Sequence, residues 1–515
     1  MKRDVADQGL GAAQLSLGVI GAKARQVLRA SANSIWWWGA AIVLVAGGAA
    51  AGLHSPTAGA WFWHLANGEL VHARGLGGSA TFLSRAGAVL DLRSWAADLG
   101  LYLIYLRSGM VGLQVLGALG GAATGALLFV AARKRGQTHP LVLVLVGGLS
   151  LLALAPVLID LSAELLALLA GGVLLALATA REYPRRGGVA LVLLIVLWAN
   201  IQSDAVAAVL VIWGWLIVAH WEGGGSDRLA PPSWWFLPLT GAAVLVSPRG
   251  LGAVAELPLS LGMSAEHPLL LAWSSIDFHP WSARISELVG LVLLLSYWLA
   301  GQRVRHADAF LGLITAAMAL LWANYLPWFL VVAAVQSCWY LSQVCWSPER
   351  SPEPGAAIRG GAPGWVRGRN LAAAIPVLIV GGLLGGAALG VARDGGARGQ
   401  ARVQLPVQAA SWLSDHPVPG AWFTTGLFGD YLASRFPGGH HVLCEDDPLP
   451  LAGTGLQECQ SLTVLNAGAL AILRRNRVGL AVLPRAAPQV PFLLAEHWRI
   501  RYRDSTTVVL APRNP

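Results

Sequence analysis

Residues His54–Asp98 read HSPTAGAWFWHLANGELVHARGLGGSATFLSRAGAVLDLRSWAAD and separate two long apolar runs, Ile35–Leu53 and Gly109–Ala132. The stretch is rich in aromatic, histidine and carboxylate side chains, whereas Leu, Ala, Val and Gly dominate its surroundings. Apolar runs of this length are typical of helices that cross a membrane. The pattern predicts a polar loop between two spans, where chemistry on a lipid-borne substrate can take place. An interfacial loop with an aromatic belt is the alternative interpretation.

The composition of the whole chain indicates a polytopic membrane protein. Of its 515 residues, 55% are hydrophobic and 12% are charged, whereas soluble proteins carry about 25% charged residues. The mean hydropathy is +0.58. The net charge of +9 comes mainly from arginines that lie between the apolar runs, as orientation signals do. No nucleic-acid-binding motif accompanies them, so we expect no nucleic-acid partner.

The apolar runs predict an α-helical fold with about eleven membrane spans. The expected spans are Ile35–Leu53, Gly109–Ala132, Leu141–Leu158, Leu161–Ala180, Val189–Ile201, Ala205–His220, Trp234–Val246, Ile285–Ala300, Ala309–Ala323, Leu326–Leu341 and Leu371–Ala392. The segment Trp95–Leu106 has a length that suits a helix lying in the membrane interface, and a twelfth span is the alternative.

The distribution of arginine and lysine predicts the orientation of these spans. Loops with several basic residues alternate with loops that have few, and residues 1–34 are basic. The side with more Arg and Lys is normally cytoplasmic. We therefore expect residues 1–34 to be cytoplasmic, with no cleavable signal peptide, followed by a transmembrane domain at 35–392. The main outer loops are then 54–108 and 247–284.

A change of composition at Arg393 predicts a soluble extracytoplasmic domain at 393–515. Helical and strand patterns alternate there, which is typical of a small α/β sandwich with a partly parallel sheet. Cys444 and Cys459 have a spacing that permits a disulfide in an oxidising compartment. No CxxC or His/Cys spacing suggests structural zinc. The expected strands are Ala421–Thr425, His441–Cys444, Leu480–Leu483, Arg499–Tyr502 and Thr506–Leu510.

The predicted outer side collects many acidic residues. They are Glu69, Asp91, Asp98, Asp160, Glu164, Asp204, Glu256, Glu266 and Asp277. Ionisable groups at membrane depth are costly unless they face a cavity or a partner. These acids therefore either converge on one site or are each solvated at the membrane interface. A Trp-Ala-Asn run also closes two spans. Asn200 and Asn324 end these runs and are expected to cap or cross-link helices, with chance recurrence as the alternative.

Several short motifs, in order along most of the chain, resemble those of bacterial multi-pass membrane proteins with a GT-C-type glycosyltransferase architecture. In the first outer loop they are AWFWHLANGELVHARG from Ala60, TFLS from Thr81 and a Trp-containing segment around Trp95. Further on they are LLIVLWANIQSDAVAA from Leu193 and LAWSSIDFHPW from Leu271. A segment of the C-terminal tail, PGAWFTTGLFGDYLASRFPGGHHVLCEDD, also resembles these proteins. Matching positions are Trp63, His64, Gly68, Ser84, Trp95, Asn200, Trp273 and Asp277.

The resemblance implies a location in a bacterial inner (cytoplasmic) membrane. It also implies transfer of a sugar from a polyprenyl-phosphate carrier to an acceptor in the cell envelope, on the outer membrane face. An acidic residue of the first outer loop would deprotonate the acceptor hydroxyl while the lipid phosphate leaves. The implied catalytic residues are Asp91, Glu69 and His64. The implied substrate-binding residues are Trp63, Trp95, Asn200, Asp204, Trp273 and Asp277. A divalent cation or basic residues would balance the negative charge of the phosphate on the membrane-borne, polyprenyl-linked sugar. No metal ligand is assigned.

The sequence departs from the family pattern at its acidic positions. The first family acid falls at Ala60 and the second near Thr81, and the histidine of the middle motif is Gln202. The glutamate of a later motif is Leu271 or Ala272. Either another carboxylate of the loop (Glu69, Asp91 or Asp98) has taken over, or the chain keeps the fold without sugar transfer. In the second case it would be an accessory subunit with protein partners. A transporter is less favoured because no inverted repeat is evident.

Overall fold

The computed structural model describes residues 36–53, 60–76, 92–136, 138–155, 161–202, 204–222, 236–255, 276, 279, 281–346, 405–436, 442–444 and 454–513. Its first part is a bundle of helices. They are α1 Trp36–Gly52, α2 Ala60–Arg74, α3 Trp95–Lys134, α4 Pro140–Leu154, α5 Leu161–Glu182, α6 Pro184–Ile201, α7 Ala205–Glu222, α8 Phe236–Val244, α9 Gly252–Ala255, α10 Trp281–Ala300, α11 His306–Leu321 and α12 Leu326–Trp346.

The bundle has a helix at each predicted span from Ile35–Leu53 to Leu326–Leu341. Within the described ranges, four helices are long and apolar enough to cross a membrane: Trp95–Lys134, Ala205–Glu222, Ala283–Arg303 and Ala323–Cys345. Others, such as α1 and α4, are equally apolar in character but shorter. The last predicted span, Leu371–Ala392, lies outside the described residues, so the number of spans stays a prediction.

Helix α3 joins the predicted interfacial helix Trp95–Leu106 to the predicted span Gly109–Ala132. It is 40 residues long and has a break at Gly109, whose φ of 59° and ψ of −153° are not helical. Glycine adopts a positive φ without the steric cost that a side chain would bring. The chain therefore passes from the predicted outer loop into the second predicted span by a change of helix direction at Gly109 and without an intervening loop.

Helices α1 and α3 cross at a face made of small residues. Gly48 and Gly52 on α1 lie against the backbone of Gly121 and Gly117 on α3, and a Cβ at Gly48, Gly52 or Gly121 would overlap the facing helix. Helices in a membrane gain stability from such close packing because the lipid gives little hydrophobic drive for their association. This crossing packs the first predicted span closely against α3.

Helix α12 forms the centre of the bundle and packs against α4, α5, α10 and α11. Most of its apolar face is buried, including Trp328, which contacts Trp198 of α6 at 5.5 Å between ring centroids. Its buried Gln336 donates from Nε2 to the backbone carbonyl of Asp308 at 3.0 Å. Polar side chains inside a bundle are tolerated when they are hydrogen-bonded in this way.

The C-terminal part is a small mixed sheet with helices around it. The elements are α13 Val407–Asp415, β1 Ala421–Thr424, α14 Gly426–Arg435, α15 Thr454–Thr463, α16 Ala469–Arg475, β2 Val478–Pro484, α17 Gln489–Ala495, β3 Arg499–Arg503 and β4 Thr507–Ala511. The sheet has four strands in the order β1-β2-β4-β3. Because β1 pairs with β2 in parallel and the other pairs are antiparallel, the predicted partly parallel sheet is confirmed.

The segment predicted as a strand at His441–Cys444 is different in the structure. Of its described residues 442–444, Val442 makes a single parallel bridge to Trp422, so the segment lies beside β1 without forming a named strand. A disulfide joins Cys444 to Cys459 in α15, a helix that the sequence analysis did not predict. The bridge holds this short segment against the sheet. The domain boundary at Arg393 lies outside the described residues and stays a prediction.

The C-terminal sheet region rests directly on α2. Tyr431 of α14 packs edge-on against Phe62 of α2, with ring centroids 5.1 Å apart. On a neighbouring face of α2, Trp63 and Ala66 pack against Ala433 of α14 in a buried apolar cluster. Helix α2 is therefore held between the helical bundle and the C-terminal region.

Candidate active site

A buried carboxylate joins the first turn of α3 to one face of α2. Asp98 is fully buried, and its Oδ1 lies 2.5 Å from His64 Nδ1. Asn67 donates from Nδ2 to Asp98 Oδ2 at 2.5 Å. Ser94 donates from Oγ to the same carboxylate, at 3.0 Å from Oδ1 and 3.1 Å from Oδ2. The carboxylate thus receives donors from two helices.

Helical spacing explains why these side chains converge. His64, Asn67 and Gly68 are three and four residues apart, which places them on one face of α2. Ser94 and Asp98 are related by four residues at the start of α3. A Cβ at Gly68 would overlap the backbone carbonyl of Asp98 and the Cβ of Tyr102, so glycine allows α2 to approach α3 this closely. The close approach brings His64 and Asn67 within reach of the carboxylate.

The arrangement fixes the proton on the imidazole of His64. A carboxylate accepts hydrogen bonds, so Nδ1 carries the proton that it shares with Asp98, and the basic lone pair lies on Nε2. The first turn of α3 also favours a negative charge at Asp98 because the backbone N–H groups there give the helix end a partial positive charge. The His64 side chain keeps 11% of its surface exposed, whereas that of Asp98 keeps none. Of this pair, the imidazole is the group that can meet a substrate.

Trp95 and Asn200, both predicted to bind substrate, contact one another. Trp95 donates from Nε1 to Asn200 Oδ1 at 2.9 Å. Asn200 Nδ2 donates to the backbone carbonyls of Val196 at 2.8 Å and Val246 at 2.7 Å. The amide thus connects α3, α6 and the segment after α8. The prediction that Asn200 cross-links helices is confirmed, and the contact places α6 beside the start of α3.

Asp204 lies at the start of α7 in a second buried polar position. Trp198 donates from Nε1 to Asp204 Oδ1 at 2.7 Å, and Asp204 Oδ2 is buried without a hydrogen-bond partner in the described part of the chain. Burial raises the pKa of Asp204 to about 6, although the bond from Trp198 acts in the opposite direction. The carboxyl group therefore titrates in a range close to neutral pH.

Replacing Asp204 with asparagine is expected to change the pH dependence of stability. The folded-state pKa of about 6 exceeds the ordinary value of 3.8, so the folded protein binds the proton more tightly than the unfolded chain. Stability is then greatest below about pH 4 and falls as the pH rises to about 6. Above pH 6 the free energy of unfolding of Asp204→Asn should exceed that of wild type by up to about 3 kcal/mol. The variant should therefore unfold at a higher temperature. Thermal unfolding of both proteins from pH 4.5 to 8 measures this difference. Melting temperatures that change with pH in the same way in both proteins would contradict the prediction.

The remaining predicted residues do not all reach the His64–Asp98 pair. Glu69 lies on α2 next to Gly68, and partial burial raises the pKa of its carboxyl group. Trp63 packs in the apolar cluster between α2 and α14, where it stabilises the contact with the C-terminal region. The other three predicted residues, Asp91, Trp273 and Asp277, lie outside the described residues.

The sequence predicts His64 as a site residue but does not select its partner. Asp98 is one of three carboxylates that could replace the missing acids, and the sequence patterns do not single out Asn67 or Ser94. The signal was present in the spacing, because His64 and Asn67 share a face of α2 while Ser94 and Asp98 share a face of α3. Within the described ranges, no group of three or more His, Cys, Asp or Glu side chains is arranged to hold a metal ion.

The helical bundle, the helix in the first predicted outer loop and the mixed sheet together form a polytopic membrane fold. The fold is similar to the crystal structure of the oligosaccharyltransferase of Archaeoglobus fulgidus, tethered with an acceptor peptide that contains the NVT sequon. The TM-score is 0.54 at 12% sequence identity, and the match covers 88% of this chain and 69% of that one. No protein-family model matches the sequence, and a search of curated proteins finds no match either.

Proposed function

We propose that the protein transfers a sugar from a polyprenyl-phosphate carrier to an acceptor on the outer face of the bacterial cytoplasmic membrane. The observation that carries the proposal is the contact between His64 and the buried Asp98. The family acid is replaced at Ala60, the first residue of α2, and His64 is four residues further on. Positions 60 and 64 are one helical turn apart on the same face, so His64 can supply the base that Ala60 cannot.

In the proposed reaction, His64 Nε2 accepts the proton of an acceptor hydroxyl. The hydroxyl oxygen forms a bond to the anomeric carbon of the sugar, while the bond from that carbon to the phosphate oxygen breaks. The polyprenyl phosphate leaves with the bonding electron pair, and the proton remains on His64 until water removes it. Asp98 does not contact the substrate. It is a positioning residue that orients the imidazole and stabilises its protonated form.

The disulfide supports the proposed orientation of the chain. Structural disulfides persist in oxidising compartments and are rare in the cytoplasm. Cys444 and Cys459 are joined in the region that packs against α2. A C-terminal region outside the cytoplasm therefore agrees with the orientation expected from the basic loops. Because this region packs against α2, His64 would then lie on the same side as an extracytoplasmic acceptor.

Replacing His64 with glutamine tests the proposed function. The amide can still donate a hydrogen bond to Asp98 but is not a base, so we expect transfer to fall about 10²- to 10⁴-fold with the fold retained. The measurement uses purified protein in vesicles with a panel of labelled polyprenyl-phosphate sugars. His72→Gln, on an exposed position of the same helix, is the matched control and should keep wild-type rates. Equal transfer by wild type and His64→Gln would contradict the assignment.

A non-catalytic relative is the second candidate function. The observation that favours it is the complete burial of Asp98, because the same hydrogen bonds would hold α2 against α3 without any reaction. In that case the protein would be a subunit of a membrane assembly. Purification from native membranes distinguishes the two, since an accessory subunit is recovered with a stoichiometric protein partner and a self-sufficient transferase is active alone.

A further inference from the structure

Helix α1 lies at the edge of the bundle, and one of its faces is not covered by the described residues. Ile42, Val43 and Val45 on this helix are 65%, 49% and 36% exposed, respectively. Leu44 is buried instead, because its side of α1 packs on α3 beside Gly125. An apolar helix face that is exposed in a membrane fold is covered by lipid chains. The exposed face of α1 is therefore a lipid-facing surface.

At one end of this surface the start of α1 meets the end of α3, because the two helices are antiparallel. The guanidinium of Arg133, in the last turn of α3, lies over the ring of Trp37 at 5.4 Å from its centroid. The same ring packs edge-on against Phe129 of α3, with ring centroids 5.8 Å apart. A cation at this distance is attracted to the face of an aromatic ring. The contact holds an exposed guanidinium at the end of the two helices.

The neighbouring side chains combine aromatic and basic character. Trp36 and Trp38 lie on either side of Trp37 in the chain and are 65% and 69% exposed. Lys134 follows Arg133 and is also exposed. Exposed tryptophans at the end of a membrane helix lie at the depth of the lipid headgroups. The end of α1 and α3 therefore places two basic side chains at the depth where lipid headgroups lie.

The charge of Arg133 is not neutralised by an acidic side chain in the described part of the chain. None of the ion pairs there includes Arg133, whereas Arg135, two residues further on, pairs with the buried Asp308. A guanidinium presents N–H donors in a planar fork that matches two oxygens of a phosphate group. Arg133 is therefore available to an anion that approaches from the membrane.

We propose that the end of α1 and α3 binds the headgroup of an anionic phospholipid. Arg133 and Lys134 hold the phosphate, Trp36 and Trp38 lie in the headgroup layer, and the acyl chains cover the exposed face of α1. A zwitterionic headgroup brings its own ammonium group, which offsets the charge of its phosphate. The two basic side chains therefore favour an anionic lipid. The surface lies on the side predicted to be cytoplasmic and is independent of the proposed sugar transfer.

The test compares two phospholipids with the same acyl chains, phosphatidylglycerol and phosphatidylcholine. Full-length protein in neutral detergent is titrated with each lipid, and native mass spectrometry measures the bound fraction. We expect wild type to bind phosphatidylglycerol at least about tenfold more tightly. In Arg133→Gln this preference should fall about fivefold, because each basic side chain near the headgroups contributes roughly that factor. Equal binding of the two lipids by wild type would overturn the proposal.

Arg303→Gln is the matched control. Arg303 is exposed at the same end of the bundle, since it lies shortly before Asp308, the partner of Arg135. Within the described residues its guanidinium does not lie over an aromatic ring. The substitution removes the same charge, and the lipid preference should stay as in wild type. An equal loss of preference in both variants would show a general effect of charge and rule out the site at Arg133.

Two further measurements separate a bound lipid from a free anion. Glycerol phosphate has a phosphate group without acyl chains, and at equal concentration it should not displace phosphatidylglycerol from wild type. A structure in phosphatidylglycerol nanodiscs, determined by electron cryo-microscopy, should show headgroup density within hydrogen-bond distance of Arg133. Displacement by glycerol phosphate, or a nanodisc structure without density at Arg133, would contradict the proposal.

Discussion

The Asp98→Asn variant is expected to lose sugar transfer by about 10²- to 10⁴-fold while remaining folded. The carboxylate accepts from His64 on one oxygen and from Asn67 on the other. An asparagine of the same shape offers one acceptor oxygen and one N–H group, so one of these two donors must face another donor. If it is His64, the proton moves to Nε2 and the base is lost. If it is Asn67, the negative charge that stabilises the protonated imidazole is still missing.

The same variant should be less stable than wild type by about 1–3 kcal/mol, because the hydrogen bonds from His64 and Asn67 to a charged carboxylate are replaced by weaker ones to a neutral amide. Ser94→Ala is the matched control. It removes a weaker hydrogen bond to the same carboxylate and leaves the contact between His64 and Asp98 in place. We expect a stability loss of about 1 kcal/mol and less than about tenfold loss of transfer. Initial rates and thermal unfolding on the same preparations give both values. Wild-type transfer in Asp98→Asn would show that the pair is structural only.

Gly68→Ala is expected to be among the most damaging small substitutions in the chain. The added methyl group would meet the backbone carbonyl of Asp98, and a backbone group cannot move aside as a flexible side chain can. Overpacking of this kind costs about 1–3 kcal/mol or more. Because α2 would be pushed away from α3, the contact between His64 and Asp98 would lengthen as well. We therefore expect both a lower melting temperature and a loss of transfer comparable to that of His64→Gln.

Gly100→Ala is the matched control for this substitution. Gly100 lies in α3 close to Asp98, but nothing lies within 4 Å of a Cβ built there. Alanine favours a helix over glycine by about 1 kcal/mol, so this variant should be as stable as wild type or slightly more stable. Thermal unfolding of both variants measures the difference. A Gly68→Ala protein as stable as Gly100→Ala would contradict the close packing of α2 on α3.

Much of the fold could be predicted from local sequence patterns. Apolar runs located the helices of the bundle, because in a membrane each helix must satisfy its own backbone hydrogen bonds within an apolar segment. Short apolar runs located β2 and β4, and the alternation of helical and strand patterns predicted a partly parallel sheet. The amide of Asn200 was recognised as a cross-link because a buried amide at the end of a span must find hydrogen-bond partners. Each of these predictions depends on a short stretch of chain.

The candidate site depends on contacts between distant parts of the chain, which such patterns do not contain. Asp98 is one of several acids in the first predicted outer loop, and only the packing of α2 on α3 buries it beside His64, 34 residues earlier. Trp63 resembled a substrate-binding residue because it is an aromatic in a polar loop. Its position is explained by α14, more than 350 residues further along the chain, which packs against it. Tertiary contacts at this separation decide which side chains remain available for chemistry.

A structure with a bound donor shows whether sugar transfer takes place beside His64. The protein would be imaged by electron cryo-microscopy with a non-hydrolysable polyprenyl-phosphate sugar and an acceptor. We expect the carrier phosphate and the sugar to lie at the face of α2 that carries His64, with an acceptor hydroxyl about 3 Å from Nε2. A donor bound away from α2, or a His64 imidazole separated from the sugar by packed side chains, would contradict it.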